Sequence, residues 1–340
     1  MKKKALLITL VNLVLTLLLA ACAQPGEGPA ADNSTEYKMA AIFPGVITDD
    51  DYNTMAYIGL IEAQKTLEIK AVYAENVAAA DVDHVMQGFI DSGYSIIWTH
   101  GPQFITRTFE FAKRFPEVVF ITEGDAPSAG APANLWFIDL NSYVGFYGIG
   151  SAAALATQTG KVGYLGGQEF PYTYQEIHAI EQAISDLGLN IELVPVLTDK
   201  PDDTANTGQL ADALIEEDVD VIIGSLSPGI EGVFEAAGTV IDRKILITAI
   251  NAEKTYLGPE NYLTALMYDY ADPLVQIVTR IRAGETGGYY PLGFNSGIKL
   301  QFPLQNVPEE IDAQVKGIIE RISAGEITVV EDSSQISSTK

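Results

Sequence analysis

The residues best equipped for chemistry gather in short polar stretches that follow apolar runs. The richest is Pro44-Gly45-Val46-Ile47-Thr48-Asp49-Asp50-Asp51-Tyr52-Asn53. Asp49 can accept hydrogen bonds from hydroxyl or amino groups, Asn53 can donate and accept, and Tyr52 or Tyr57 can stack on a planar ring. Stacking a base on an aromatic side chain is worth about 1–3 kcal/mol, enough to favour a flat ligand over a branched one. Thr99-His100-Gly101-Pro102 and Glu123-Gly124-Asp125 follow two further runs, and His100, Gly101 and Asp125 are candidates there. Tyr172, Ser225, Ser227, Asn251 and Tyr268 complete the set from the second half of the chain. A few convergent polar groups with aromatic walls are what a small polar solute needs for reversible capture. Covalent chemistry lacks support, because no nucleophile stands with a base in a triad-like order.

Plainer roles compete for the same residues. Asp49, Asp50 and Asp51 can cap a helix, where carboxylates satisfy free amides and favour the dipole. His100 can satisfy a carbonyl at a strand end, and Tyr172 and Tyr174 can belong to a core. Three consecutive carboxylates also suggest a Ca²⁺ loop, but the Asp-x-Asp-x-Asp-Gly spacing with a later Glu is missing. Gly166-Gly167 lacks the Gly-Lys-Ser/Thr of a phosphate-binding loop. Neither a metal nor a cofactor is expected.

These loops need strands and helices to position them. Short apolar runs near residues 37–43, 69–73, 95–98, 118–121 and 135–138 alternate with helical patterns near 53–67, 80–92, 104–115 and 142–157. A second cycle has runs near 161–165, 191–196, 219–223 and 244–250 between helical patterns at 174–187, 204–217 and 229–237. Strand and helix alternating through two cycles imply two parallel sheets built from βαβ units, that is, an α/β protein of two doubly wound lobes. In such sheets ligands bind beyond the carboxyl ends of the strands, where the polar stretches fall.

Composition narrows the function classes. The chain has 340 residues, with 45 acidic against 20 basic side chains and a net charge of −25. Nucleic acid is excluded as a general partner, because phosphate contacts need clustered Lys and Arg. One cysteine rules out an intrachain disulfide, and three histidines leave little for a zinc site. Met1-Lys2-Lys3-Lys4 precedes an apolar run that ends Leu19-Ala20-Ala21-Cys22, so residues 1–21 read as a signal peptide. The Leu-Ala-Ala-Cys match resembles the bacterial lipobox and makes Cys22 the expected lipidation point. Residues 22–35, rich in Gly and Pro, read as a flexible tether.

The order of several motifs carries a family resemblance. Gly45, Asp49-Asp50-Asp51-Tyr52-Asn53 and Gly59-Leu60 resemble the Asp-x-x-Phe-Asn…Gly-Leu signature of the basic membrane protein family. Phe115-Pro116-Glu117-Val118-Val119-Phe120, Asn134, Tyr147-Gly148-Ile149-Gly150, residues 160–167 and Pro228-Gly229-Ile230-Glu231-Gly232-Val233 continue it to about residue 325. The resemblance implies a type I periplasmic-binding-protein fold with three crossing segments, a hinge and an interlobe cleft. It also implies a lipid-anchored, extracytoplasmic, non-enzymatic protein that captures a nucleoside-like solute for an ABC permease. Lobe I is expected from residues 36–138 plus 252–285, lobe II from 139–251 plus 286–325, and a polar tail without a readable role from 326–340. A monomer is expected. A sensor that docks on a receptor is the alternative, and a nucleoside hydrolase ranks below both. Three positions depart from the family's nucleoside binders: Asn251 replaces the Asp that accepts from ribose, Tyr268 ends a run without its lysine, and Asp50 replaces a basic residue.

Overall fold

Strands β1 (Lys38–Ile42), β2 (Lys70–Ala74), β3 (Ile96–Thr99), β4 (Val119–Glu123), β5 (Leu135–Asp139) and β11 (Gly288–Pro291) form one sheet. Its order is β11-β5-β4-β3-β1-β2, and every pairing in it is parallel. The computed structural model describes residues 37–125, 127 and 130–336. The expected signal peptide, Cys22 and the expected tether lie outside the described residues. From Tyr37 onward the chain is a single contact unit.

A second sheet, ordered β12-β10-β9-β8-β6-β7, contains β6 (Lys161–Gly166), β7 (Glu192–Leu197), β8 (Val221–Ser225), β9 (Leu246–Ile250), β10 (Tyr262–Tyr268) and β12 (Ile298–Leu300). Only β12 runs antiparallel to its neighbour. Both sheets therefore have the doubly wound character expected. The near-continuous apolar runs follow from burial on both faces: Met39, Ala40, Ala41 and Ile42 of β1 are all fully buried.

Two helices explain family motifs in physical terms. Helix α1 (Tyr52–Leu67) lies against α8 (Ala271–Arg282). A Cβ on Gly59 would sit 2.6 Å from Tyr270 Cβ, so the Gly-Leu motif permits this close approach. Asn134, before β5, donates through Nδ2 to the carbonyls of Ala112, Phe115 and Val118 at 2.7–3.0 Å. It thus ties the end of α3 (Ile105–Arg114) to the start of β4 and β5.

Among the described residues the chain passes between the sheets three times, at residues 140–141, 269–270 and 292–297. The crossings are bonded together: Asn141 Nδ2 donates to the Leu292 carbonyl at 2.9 Å, and Asp269 N donates to the Gly297 carbonyl at 2.7 Å. Strand membership differs from the expected division in two places. Residues 252–268, expected in lobe I, belong with the second sheet as the loop after β9 and as β10, and residues 288–291, expected in lobe II, form β11 of the first. The cause is non-local pairing. β10 is buried beside β9, whereas β11, flanked by glycines that read as turns, is held by β5.

The C-terminal segment also differs from the polar tail expected. Helices α4 (Ser142–Ala156), α5 (Pro171–Asp186), α6 (Thr204–Glu216), α7 (Ile230–Gly238) and α9 (Glu309–Ser323) belong to the second half, and residues 327–334 run along α5. Gln182 donates to the Thr328 carbonyl and accepts from Val330 N, while His178 contacts the Ser334 carbonyl. Ile327 and Val329 pack on the core beneath. Alternating apolar residues made this segment a strap on lobe II.

Candidate functional site

The carboxyl ends of β1, β7, β8 and β9 converge on a cavity of about 480 Å³. Lobe I contributes Asp49, Asp51, Tyr52 and Asn53, and lobe II contributes Asp202, Ser227, Glu231, Asn251, Lys254 and Tyr256. Of the residues singled out from sequence, Asp49, Tyr52, Asn53, Ser227 and Asn251 are therefore brought together.

Asp49 acts first as the organiser of its own loop. Its carboxylate accepts from Asp51 N, Asn53 N, Asn53 Nδ2, Thr54 N and Thr54 Oγ1 at 2.6–3.0 Å. Burial pushes its pKa up, but these bonds from Asn53 and Thr54 outweigh burial and hold it below the usual carboxylate value. The helix-capping role is thus the one its geometry fills. Asn53 also accepts from Gly45 N at 3.3 Å, and a Cβ on Gly45 would stand 2.6 Å from Asn53 Nδ2. The Gly45…Asn53 spacing therefore shapes the loop.

Tyr52 is held from below. Its ring stacks on His100 at 3.9 Å, and its hydroxyl donates to Glu123 Oε2 at 2.5 Å. Burial, then the Glu123 charge, pushes the Tyr52 phenol well above its ordinary value. His100 does not face the cleft. It is fully buried among Phe43, Trp98 and Tyr270, with Nδ1 2.5 Å from Glu123 Oε1. The imidazole meets a carboxylate here rather than a backbone carbonyl, and its Nε2 has no hydrogen-bond partner among the described residues. Gly101 is the left-handed turn residue that follows it, at φ +108°.

The other candidates lie elsewhere. Tyr57 packs edge-on against Tyr73 of β2, away from the cavity, because five helical positions rotate it by roughly 140° from Tyr52. Asp125 is exposed, and its pKa is raised by partial burial and then by Asp139 near the first crossing. Tyr172 is half exposed and stacks on Phe170. Ser225 donates to Glu176 at 3.0 Å, and Tyr268 is buried beside the crossing, where burial followed by Glu176 and Glu123 raises its phenol.

Lys254 is the residue that sequence reading passed over, and Asp51, expected as a helix cap, proves to be its partner. Lys254, only 5% exposed, reaches from lobe II to Asp51 Oδ2 at 3.0 Å and to the Asp50 carbonyl at 2.9 Å. Ser227 donates to the same Asp51 oxygen at 2.6 Å. Together they form a latch across the cleft. The available signal was a lysine in a strand-end loop facing a run of aspartates. A second missed group is Glu176 of α5, which accepts from Tyr164 at 2.6 Å and from Ser225. Burial raises its pKa to about 7 against the opposing bonds from Tyr164, Ser225 and Ser142.

The cavity therefore offers acceptors, one ion-paired ammonium and two aromatic side chains, drawn from strand-end loops of both sheets. Basic membrane protein A1 of Borrelia garinii subsp. bavariensis is 23% identical over 334 residues, covering 94% of this chain and 96% of that protein. A purine-binding protein of Brucella abortus is 23% identical over 308 residues, covering 88% and 85%. The solved ABC transporter solute-binding protein of Conexibacter woesei shares the fold, with a TM-score of 0.71 at 20% identity over 87% of this chain and 99% of that one. Residues 37–332 match the family described as ABC transporter substrate-binding protein, PnrA-like, so a bilobed chain with its cavity at the strand ends belongs to the Bmp family.

Proposed function

We propose that the protein is the extracytoplasmic solute receptor of an ABC importer, anchored by lipid on Cys22, and that it captures a nucleoside-like solute between its lobes without altering it. The observation that carries this reading is the origin of the cavity, whose polar groups come from both lobes and meet only when these are together. A solute bound there stabilises the closed form by its differential affinity for that form. Its volume lies within the usual range for small-molecule sites. The name of the Brucella relative adds support for a purine-related solute.

Titration calorimetry with purine and pyrimidine nucleosides tests the solute. Saturable one-to-one heat with at least one nucleoside, and its recovery unchanged afterwards, is the expected result. Heat absent for every nucleoside and base, but present for another solute class, would remove the nucleoside assignment. The anchor has its own test in the mass of the mature N-terminal peptide. A diacylated peptide starting at Cys22 is expected, and an intact start at Met1 would contradict it.

A further inference from the structure

We infer that the cleft is built for a solute carrying a protonated amine, and so discriminates by positive charge as well as by shape. This rests on the capture reading above and concerns the same cavity. Four carboxylates line it, those of Asp49, Asp51, Asp202 and Glu231, against the single ammonium of Lys254. That ammonium is already engaged by Asp51 and by the Asp50 carbonyl. Asp202 and Glu231 are exposed at the rim and have no salt-bridge partner among the described residues.

Two buried groups show that the cavity still has bonding capacity for a ligand. Asp51 is 5% exposed and its Oδ1 has no hydrogen-bond partner among the described residues. Asn251, 8% exposed as a residue, also lines the cavity, and its amide can both donate to and accept from a solute. Buried polar atoms are normally satisfied, so Asp51 Oδ1 is a place where a ligand N–H belongs. The Tyr52 and Tyr256 side chains border the same space, and aromatic faces attract an ammonium through the ring quadrupole. An anionic solute, such as a nucleotide, meets uncompensated carboxylates instead.

Calorimetry with putrescine and spermidine as probes, beside adenosine and inosine as neutral competitors and Ca²⁺ as an inorganic cation, tests this. One-to-one binding of an amine is expected, weakening as salt rises. Asp51→Asn should lower amine affinity at least tenfold more than it lowers that of any neutral solute that binds, since loss of the latch alone weakens both alike. The double variant Asp202→Asn/Glu231→Gln touches only exposed rim residues and should flatten the salt dependence while leaving the melting temperature unchanged. Binding of neutral nucleosides without amines overturns the charge inference and leaves the capture reading standing. Binding of Ca²⁺ without amines, binding of neither amines nor nucleosides, or amine binding indifferent to both variants also overturns it. Of these outcomes, only the absence of heat with every solute speaks against capture as well.

Discussion

Replacing Lys254 with methionine opens the protein and weakens solute binding about tenfold to a hundredfold. Lys254 and Asp51 are both about 95% buried and come from different lobes. Removing one partner of a buried ion pair leaves the other charge uncompensated, which costs about 3–5 kcal/mol. Here the molecule has an escape. If the lobes part, Asp51 returns to water, so the penalty falls on the closed form and the fold itself keeps its stability. A shift of about 3 kcal/mol in the closing equilibrium is roughly a hundredfold change in its constant. Apparent affinity follows the fraction of molecules able to close. Solution scattering should show a larger radius of gyration for Lys254→Met than for the parent protein, with little change in melting temperature. The double variant Asp51→Asn/Lys254→Met removes both charges and should recover much of the closed population. An unchanged radius and unchanged affinity in Lys254→Met would show that the latch has no role in closure.

Glu176→Gln abolishes most of the loss of stability that the parent protein suffers between mildly acidic and mildly alkaline pH. In the folded protein this carboxyl titrates at about 7, against a reference value of 4.5. Below 4.5 it is protonated in both states and imposes no penalty. As pH rises from there towards 7, the unfolded chain releases its proton first, so stability falls. Above 7 the buried group is ionised in the folded protein too, and the accumulated loss reaches about 3 kcal/mol. The glutamine keeps an oxygen to accept from Tyr164 and Ser225 but cannot ionise. Melting curves from about pH 5 to about pH 8 should therefore converge at the acidic end and separate by several degrees at the alkaline end, with the variant higher. Parallel curves across the range would refute the assignment of this titration to Glu176.

How far the fold can be read from sequence depends on where each interaction partner lies. β1 with its fully buried Met39–Ile42 stretch is visible because burial on both faces leaves a continuous apolar run. The same holds for β3, β4 and β5, and the helices between them begin and end within a few residues of the periodic patterns. β10 and β11 fall outside the lobes expected for their residues because their membership is set by pairing with β9 and β5, which lie in different sheets. No local property of Gly288-Tyr289-Tyr290-Pro291 reports a partner some 150 positions earlier, although Tyr289 donates to Asp139 at 2.5 Å.

The site divides in a similar way. Loop position identified the cleft residues Tyr52, Asn53, Ser227 and Asn251, since strand ends in open parallel sheets face the ligand. Side-chain direction was not legible. His100 follows its strand as expected, yet its ring turns into lobe I to meet Glu123. Asp49 spends its carboxylate on five local bonds, leaving Asp51 two positions on to cross the cleft. Lys254 could be placed only by knowing that the loop after β9 folds over the loop after β1.

The most direct test of solute capture is native mass spectrometry of the full-length protein purified without denaturation and mixed with the nucleoside and amine probes. A single small-molecule adduct per chain is expected, present on the parent protein and lost from Lys254→Met. The absence of any adduct, or an adduct held equally by both proteins, would contradict binding between the lobes.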